Sequence, residues 1–210
     1  MLDYEKKLHF DKHYKKLQSL NGVKKICALI CGEAGYIIAF ILLKYVLLLF
    51  PDLQPWDNAK TWFTFYSIPF SKYDCPYILF GLVANCYGSI KLMKITEQNH
   101  SIKDGESGMP SELLTDGCYA KIRHPMYGTF IILHSSLLLS LRSFVGMIFA
   151  LGVAVFQYFN AKWEEEKSLI PMFGENYIGY SKVARNILLN KWETLVLVIA
   201  VFLSLIGLIF

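Results

Sequence analysis

The sequence predicts an all-α fold, a polytopic membrane helical bundle with about five transmembrane helices. Two observations predict it. Hydrophobic residues make up 54% of the 210 residues, and the mean hydropathy is +0.37. Charged residues make up only 18%, whereas about a quarter is usual for a soluble domain. They occur in blocks separated by apolar runs, several of which reach the roughly 20 residues that a helix needs to cross a bilayer.

The apolar runs divide the chain into four parts. In chain order we expect a basic amphipathic segment at 1–25, a two-span membrane scaffold at 26–95, a core at 96–190 that contains a short helical hairpin at 126–160, and a C-terminal transmembrane helix at 191–210. An aromatic interfacial loop is expected at 51–74. A second loop at 96–110 is polar and rich in turn-forming residues.

The basic residues predict the orientation of the bundle. Seventeen lysines and arginines fall in the three segments expected on the side of the N-terminus, and three fall on the opposite side. This bias predicts a cytoplasmic N-terminus and a cytoplasmic region after the hairpin. The membrane would be the plasma membrane in a prokaryote and the endoplasmic reticulum in a eukaryote. Inside the first span, Glu33 is a functional candidate, and Lys44 is expected to extend its amine toward the far interface.

One polar cluster precedes the hairpin. Pro125 suits the first position of a helix, where its missing N–H has no helical partner. Arg123 and His124 should then lie just before a helix N-terminus, where free amides and the helix dipole attract anions. The cluster predicts an anion site, although both residues could instead be simple interfacial anchors.

A second polar cluster follows the hairpin, where three glutamates, Glu164, Glu165 and Glu166, stand near a helix C-terminus that disfavours negative charge. Successive helical residues turn by about 100°, so at most two of the three can face one pocket. Lys162 lies one turn before Glu166 and could pair with it. Facing the anion site, the carboxylates would suit a zwitterionic ligand with an additional positive charge.

Several short motifs occur in the order and spacing of a known membrane family. They are Asn99-His100, Asp116-Gly117-Cys118-Tyr119, Arg123-His124-Pro125-x-Tyr127, Glu165-Glu166-x-x-Leu169 and Phe173-Gly174-x-x-Tyr177-x-x-Tyr180. With them the chain resembles the isoprenylcysteine carboxyl methyltransferases and their phospholipid-methyltransferase relatives. The resemblance covers about residues 96–187.

This resemblance implies S-adenosylmethionine as the cofactor and a membrane lipid or lipidated acceptor that enters from the bilayer. The cofactor would contact Gly117, Cys118 and Tyr119, together with His124, Pro125 and Tyr127. Either Glu165 or Glu166 would hold its amino group. Arg123 would neutralise an acceptor carboxylate, and Asn99 and His100 would lie on the substrate side. The implied catalytic residues are Arg123, Glu165 and Glu166.

The chain also departs from the family pattern. Ala161 and Lys162 stand where an arginine usually precedes the glutamate pair, and Cys118 stands where a proline is frequent. The usual proline near Leu188 is absent, and the apolar block after Lys191 has no counterpart in the shared motifs. No Gly-x-Gly triplet supports a Rossmann-type cofactor site. The cysteines form no CxxC pair, so no metal is expected, and no nucleic-acid partner is expected either.

Three competing functions remain open. The first is N-methylation of an aminophospholipid, which would need Glu165, Glu166 or His124 as a base; a carboxylate acceptor needs none, and Arg123 favours it. The second is an NADPH-dependent membrane sterol-type reductase, a class that shares Arg-His-Pro-x-Tyr but has Asp-Glu and Tyr-Gly-x-x-Trp where this chain has Glu-Glu and Phe-Gly-x-x-Tyr. The third is a non-catalytic membrane protein.

Overall fold

The computed structural model describes residues 22–49, 60–102 and 112–209 and is mostly helical. Its helices are α1 (Gly22–Leu48), α2 (Asp74–Ser101), α3 (Pro125–Ser140), α4 (Phe144–Glu164), α5 (Ile170–Phe173), α6 (Glu175–Val183) and α7 (Lys191–Ile209); its strands are β1 (Thr61–Phe65) and β2 (Ile68–Ser71). A 3-10 turn at Gly117–Tyr119 precedes α3, and a π-helical turn at Glu165–Leu169 joins α4 to α5. The predicted all-helical class is therefore correct apart from a two-stranded hairpin.

Helix α3 lies at the centre of the bundle and packs against α2 and α4. Its buried positions are mostly small: Gly128, Thr129, Ser135, Ser136 and Ser140 are all buried. Small side chains let helices approach closely where van der Waals contact drives their association. The hydroxyl of Tyr36 on α1 lies 2.5 Å from that of Ser140 and so joins α1 to the same helix.

Three helices are long and apolar enough to cross a membrane: Lys25–Leu48, Asp74–His100 and the continuous run Phe144–Phe173. Pro125–Ser140 is apolar but shorter. Many large apolar side chains on α1, α4 and α7 are exposed, as expected of surfaces that face lipid. These features support an integral membrane protein. The count of about five spans stays a prediction.

Two boundaries differ from those predicted. Helix α2 runs to Ser101, so the start of the expected 96–110 loop is helical. Residues 61–71 form an antiparallel hairpin in place of an aromatic loop; residues 51–59 of that loop lie outside the described residues. The hairpin turn has Tyr66 and Ser67 at positive φ, 44° and 68°. Neither residue type favours that conformation, which is why the sequence did not signal the turn.

Lys44 does not extend to the interface as expected. Its side chain is 4% exposed, and its Nζ lies 3.0 Å from Oδ1 of Asp74, at the N-terminus of α2. Asp74 also accepts from the backbone N–H of Ser71 at 2.6 Å, and Arg142 lies 3.4 Å from it. We call these four residues the Asp74 cluster. A buried cation needs a buried counter-charge, and the cluster supplies one where the hairpin, α1, α2 and the α3–α4 turn meet.

Glu33, the other charge inside α1, contacts a neighbouring helix. The side-chain amide of Asn85 on α2 donates to its Oε1 at 3.0 Å. Glu33 does not line the cavity described below. Of the expected amphipathic segment 1–25, residues 1–21 lie outside the described residues.

We predict that Asp74→Ala destabilises the protein by about 3–5 kcal/mol, because it leaves Lys44 and Arg142 buried without their carboxylate. Thermal unfolding in detergent, followed by circular dichroism, measures the change. Glu97→Ala is the matched control, since it removes an ion pair to Lys25 whose side chains are both 45% exposed and should cost less than about 1 kcal/mol. Equal losses for the two variants would contradict the assigned role of the Asp74 cluster.

Candidate active site

The first polar cluster is held by the end of α2. Gly117 begins the 3-10 turn with a φ of 52°, a left-handed conformation that glycine adopts without strain. A Cβ there would lie 1.9 Å from Nε2 of Gln98, so the Gln98 side chain would have to move. The next residue, Cys118, donates its N–H to the Gln98 side chain at 2.9 Å. The hydroxyl of Tyr119 donates to Oδ1 of Asn99 at 2.6 Å.

The segment between this turn and α3 pairs with the chain that follows α6. Arg123 N–H donates to the carbonyl of Asn186 at 2.9 Å, and His124 N–H donates to that of Ile187 at 2.8 Å. Pro125 is the first residue of α3, as predicted. A Cβ on Gly128, one turn later, would meet the Leu188 carbonyl at 1.8 Å. This close approach fixes where α3 begins and therefore where Arg123 and His124 lie.

The second polar cluster stands where α4 changes its helical period. Ile170 N–H bonds the carbonyl of Glu165, five residues back, in a π-helical turn. Pro171 follows and has no N–H to continue an α-helical ladder. Single π-helical turns of this kind are frequent at functional sites. This one holds the carboxylate of Glu165 toward the first cluster.

Glu165 is 5% exposed and has four side-chain partners. Its Oε1 lies 2.8 Å from Nη1 of Arg123 and 3.2 Å from Nε2 of His124, and it accepts from the Tyr177 hydroxyl at 2.9 Å. Its Oε2 accepts from Lys162 at 2.9 Å. We call these five residues the Glu165 network. The network satisfies the buried carboxylate fully, so Glu165 has little capacity left for a ligand.

Glu164 has a different environment. Its Oε2 lies 3.1 Å from Nδ1 of His124, and its side chain is 37% exposed. His124 is thus held between two carboxylates, one at each ring nitrogen. Glu164 also shares a hydrogen bond with the Tyr127 hydroxyl, and its partly exposed carboxylate can still face a cation.

A cavity of about 300 Å³ lies between the two clusters. This volume is at the lower end of the range usual for small-molecule sites, roughly 300–1,000 Å³. Its walls combine charged, aromatic and aliphatic side chains: Asn99, Ile102, Glu112, Leu113, Leu114, Tyr119, Arg123, His124, Met126, Tyr127, Glu164, Leu169, Phe173, Tyr177 and Tyr180. Such a lining can contact a flat aromatic ring and bind both a cation and an anion.

Three tyrosines of this cavity stay protonated at neutral pH: Tyr119, Tyr177 and Tyr180. Burial raises the pKa of Tyr119 to about 12, and the nearby Glu164 carboxylate acts in the same direction. Burial likewise raises the pKa of Tyr180 to about 12 and raises that of Tyr177, which also faces Glu165. These tyrosines therefore serve as hydrogen-bond donors.

The structure brings part of the predicted site together. Asn99, Tyr119, Arg123, His124 and Tyr127 all line the cavity. Glu165 lies behind the wall, where it holds Arg123 and His124. The expected pairing of Lys162 with Glu166 is wrong, because Lys162 bonds Glu165 instead.

Other predicted residues lie elsewhere. Glu166 is exposed and does not line the cavity. His100 is in the last turn of α2, and Pro125 is buried at the start of α3; neither lines the cavity. Gly117 and Cys118 border a second cavity beside α2.

Sequence reasoning missed several cavity residues. Glu164 was noted in the second cluster but not assigned to the pocket. Phe173, Tyr177 and Tyr180 enter the sequence argument only as a motif. Phe173 ends α5, whereas Tyr177 and Tyr180 lie three residues apart on one face of α6, which was the available signal. Tyr180 also donates to the carbonyls of Tyr119 and Ile122, at 2.7 and 3.3 Å.

Arg123 retains a free donor beside the cavity. Its Nη1 bonds Glu165, whereas its Nε is buried without a hydrogen-bond partner within the described residues. A buried donor without an acceptor costs free energy, and a ligand carboxylate would satisfy it. The cavity lining therefore includes a cationic guanidinium, the Glu164 carboxylate and several aromatic rings. This donor set fits an amino-acid zwitterion joined to an aromatic base.

Fold and site together define a membrane protein with a polar cavity at one end of an apolar helical bundle.

The chain is similar to two curated proteins, both named protein-S-isoprenylcysteine O-methyltransferase. It is 29% identical to the rat protein over 107 residues, which are 50% of this chain and 37% of the relative. It is 36% identical to the mouse protein over 86 residues, which are 40% of this chain and 29% of the relative. The matches thus span about a third of each relative, and no family model matches. They confirm the resemblance drawn from the motifs.

We predict that Glu165→Gln lowers the free energy of unfolding by about 3–5 kcal/mol, because Arg123 and Lys162 lose their shared buried counter-charge. The matched control is Glu166→Gln at the next, exposed position, where a change within about 0.5 kcal/mol is expected. Thermal unfolding of both variants in the same detergent tests this. A Glu165→Gln protein as stable as the control would contradict the Glu165 network.

Proposed function

We propose that this chain is an S-adenosylmethionine-dependent membrane methyltransferase that methylates a lipid-linked acceptor, the carboxylate of an isoprenylcysteine-like substrate. The single observation that carries the proposal is the cavity between Arg123, His124 and Glu164, at one end of an apolar bundle. The similarity to two isoprenylcysteine O-methyltransferases supports the reaction class.

The cavity residues suit each part of this cofactor. Glu164 would bind its amino group, a role that the sequence had suggested for Glu165 or Glu166. The N–H donors of Arg123 are left for the carboxylate of the acceptor. The rings of Tyr119, Tyr127 and Phe173 offer flat surfaces for an adenine. S-adenosylmethionine, when bound, supplies a methyl group on a positively charged sulfur, and carboxylates around the pocket favour that charge.

The residues of the chain contribute mainly by holding the reactants. A methyl transfer is an in-line displacement, so correct positioning supplies much of the acceleration. The Glu165 network fixes Arg123 and His124 relative to Glu164, which makes it a positioning element. A carboxylate acceptor is nucleophilic at neutral pH and needs no base, and Arg123 would orient it.

An amine acceptor remains the second candidate. It must lose a proton before it can attack. His124 lies between two carboxylates and borders the cavity, so it could take that proton. The acceptor would then be the head group of an aminophospholipid. The reductase alternative instead requires NADPH to bind in the same cavity.

The proposal includes the topology predicted from the sequence. With five spans, the bias in lysine and arginine would place the N-terminus and the cavity on the cytoplasmic side, where S-adenosylmethionine is available. The acceptor would reach the cavity from the bilayer. The region between 96 and 190 would be the catalytic core, and the scaffold at 26–95 and the helix at 191–210 would flank it.

Calorimetric titration of the detergent-purified protein tests the cofactor. We predict that S-adenosylmethionine binds and NADPH does not, and that Glu164→Gln weakens S-adenosylmethionine binding by at least about tenfold, since a charge-assisted hydrogen bond contributes about 1.5–3 kcal/mol. Glu166→Gln is the control and should bind normally. Preferential binding of NADPH, or equal binding by the two variants, would contradict the assignment.

A labelled-methyl assay with lipid extracts then distinguishes the acceptors. A methyl ester loses its label in mild base, whereas a methylated amine retains it. We predict a base-labile product. A base-stable lipid product would favour the aminophospholipid instead.

A further inference from the structure

A second recess lies on the opposite side of α3 from the candidate active site. It is a groove of about 450 Å³ between α2, α3 and α7. Its walls are mainly apolar and include Phe80, Val83 and Ala84 from α2, Ile132 from α3, and Val196 and Leu197 from α7. A groove of this kind within an apolar bundle would be filled by hydrocarbon rather than water.

The groove adjoins a basic cavity at the end of the bundle that also carries the candidate active site. The two recesses share Tyr87 and Asn190 as lining residues. The second cavity, also about 450 Å³, is lined by Lys91, Lys94 and Lys121 and, among the described residues, by no carboxylate. Together the recesses follow α2 from Lys94 to Phe80, a rise of about 21 Å. That length exceeds the thickness of one leaflet, which is about half of a hydrocarbon core about 30 Å thick.

Two of the three lysines keep their charge available. Lys91 is paired with Glu193, a buried residue that also accepts from the Tyr87 hydroxyl at 2.7 Å. Lys94 and Lys121 are exposed, and neither forms an ion pair within the described part of the chain. The mouth of the groove therefore has two positive charges that no carboxylate of the described residues pairs with.

The start of α7 fixes the third wall of the groove. Asn190 and Glu193 form a reciprocal cap: Glu193 N–H donates to Oδ1 of Asn190 at 2.9 Å, and Asn190 N–H donates to Oε2 of Glu193 at 2.8 Å. Because Glu193 also bonds α2 through Tyr87 and Lys91, α7 is held beside α2 at the mouth. The wall formed by α3 carries Ser135, whose buried hydroxyl has no hydrogen-bond partner within the described residues.

We propose that this groove binds a membrane phospholipid with an anionic headgroup: its phosphate lies between Lys94 and Lys121, and one acyl chain lies along α2 and α7. Charge complementarity selects the headgroup, since each lysine near a membrane surface attracts anionic lipid. The apolar walls select a lipid over a soluble phosphate. The site is separate from the proposed cofactor cavity and does not depend on the proposed function.

Native mass spectrometry of the detergent-purified full chain tests the site, with phosphatidylglycerol and phosphatidylcholine of identical acyl chains as probes. The wild type should bind phosphatidylglycerol with a clear preference. Lys94→Glu with Lys121→Glu should weaken its binding by about thirtyfold or more, from the attraction of two lysines, and should leave phosphatidylcholine binding unchanged. Both lysines are exposed, so this variant should fold.

Two further variants complete the test. Lys167→Glu with Lys182→Glu makes the same charge change at exposed positions away from the groove, and it should keep the preference. Ala84→Phe fills the groove and should weaken binding of both lipids. Glycerol phosphate without acyl chains should not bind.

The proposal would be overturned by equal binding of the two lipids to the wild type. An unchanged preference in the Lys94 and Lys121 variant would also overturn it. So would glycerol phosphate binding as tight as that of phosphatidylglycerol, or displacement of phosphatidylglycerol by a prenylated cysteine, which would assign the groove to the acceptor.

Discussion

The arrangement of this bundle near its polar end depends on one buried carboxylate. Glu165 is removed from water, and an ionised carboxylate in that position requires donors around it. Arg123 and His124 come from the segment before α3, Lys162 comes from α4, and Tyr177 comes from α6. Satisfying this one group therefore draws three segments together, and the cavity forms where they meet.

The same principle operates at the opposite end of the bundle. There Asp74 is the buried acceptor, and Lys44, Arg142 and the Ser71 amide are its donors. Between the two ends, the central helix α3 contributes small buried residues in place of charges. Polar networks at both ends and close packing in the middle explain how an apolar bundle acquires one arrangement, since lipid gives little preference for one helix pairing over another.

The long helices and the pairing of two distant motifs were accessible from the sequence. Hydropathy predicted the apolar runs, and Pro125 marked the start of α3. The opposite charges of Arg123 and His124 on one side and of the glutamates on the other predicted that the two clusters would meet. Their side-chain nitrogen and oxygen atoms do meet, at distances of 2.8–3.2 Å.

Which glutamate faces the cavity could not be predicted. It depends on the change from α-helical to π-helical period between Glu164 and Glu165, and on long-range partners such as Tyr177. The hairpin at 61–71 was missed because its turn residues, Tyr66 and Ser67, adopt positive φ values that their own preferences disfavour. Lys44 was misplaced because its partner, Asp74, lies 30 residues away in sequence.

The most direct test of the central claim is an experimental structure of the protein with S-adenosylhomocysteine, the demethylated form of the proposed cofactor. We predict its density in the cavity between Arg123, His124 and Glu164, with the amino group toward Glu164 and the Glu165 network intact behind it. Density for the compound at another place on the chain, or a cavity closed by rearrangement of the Glu165 network, would contradict the account.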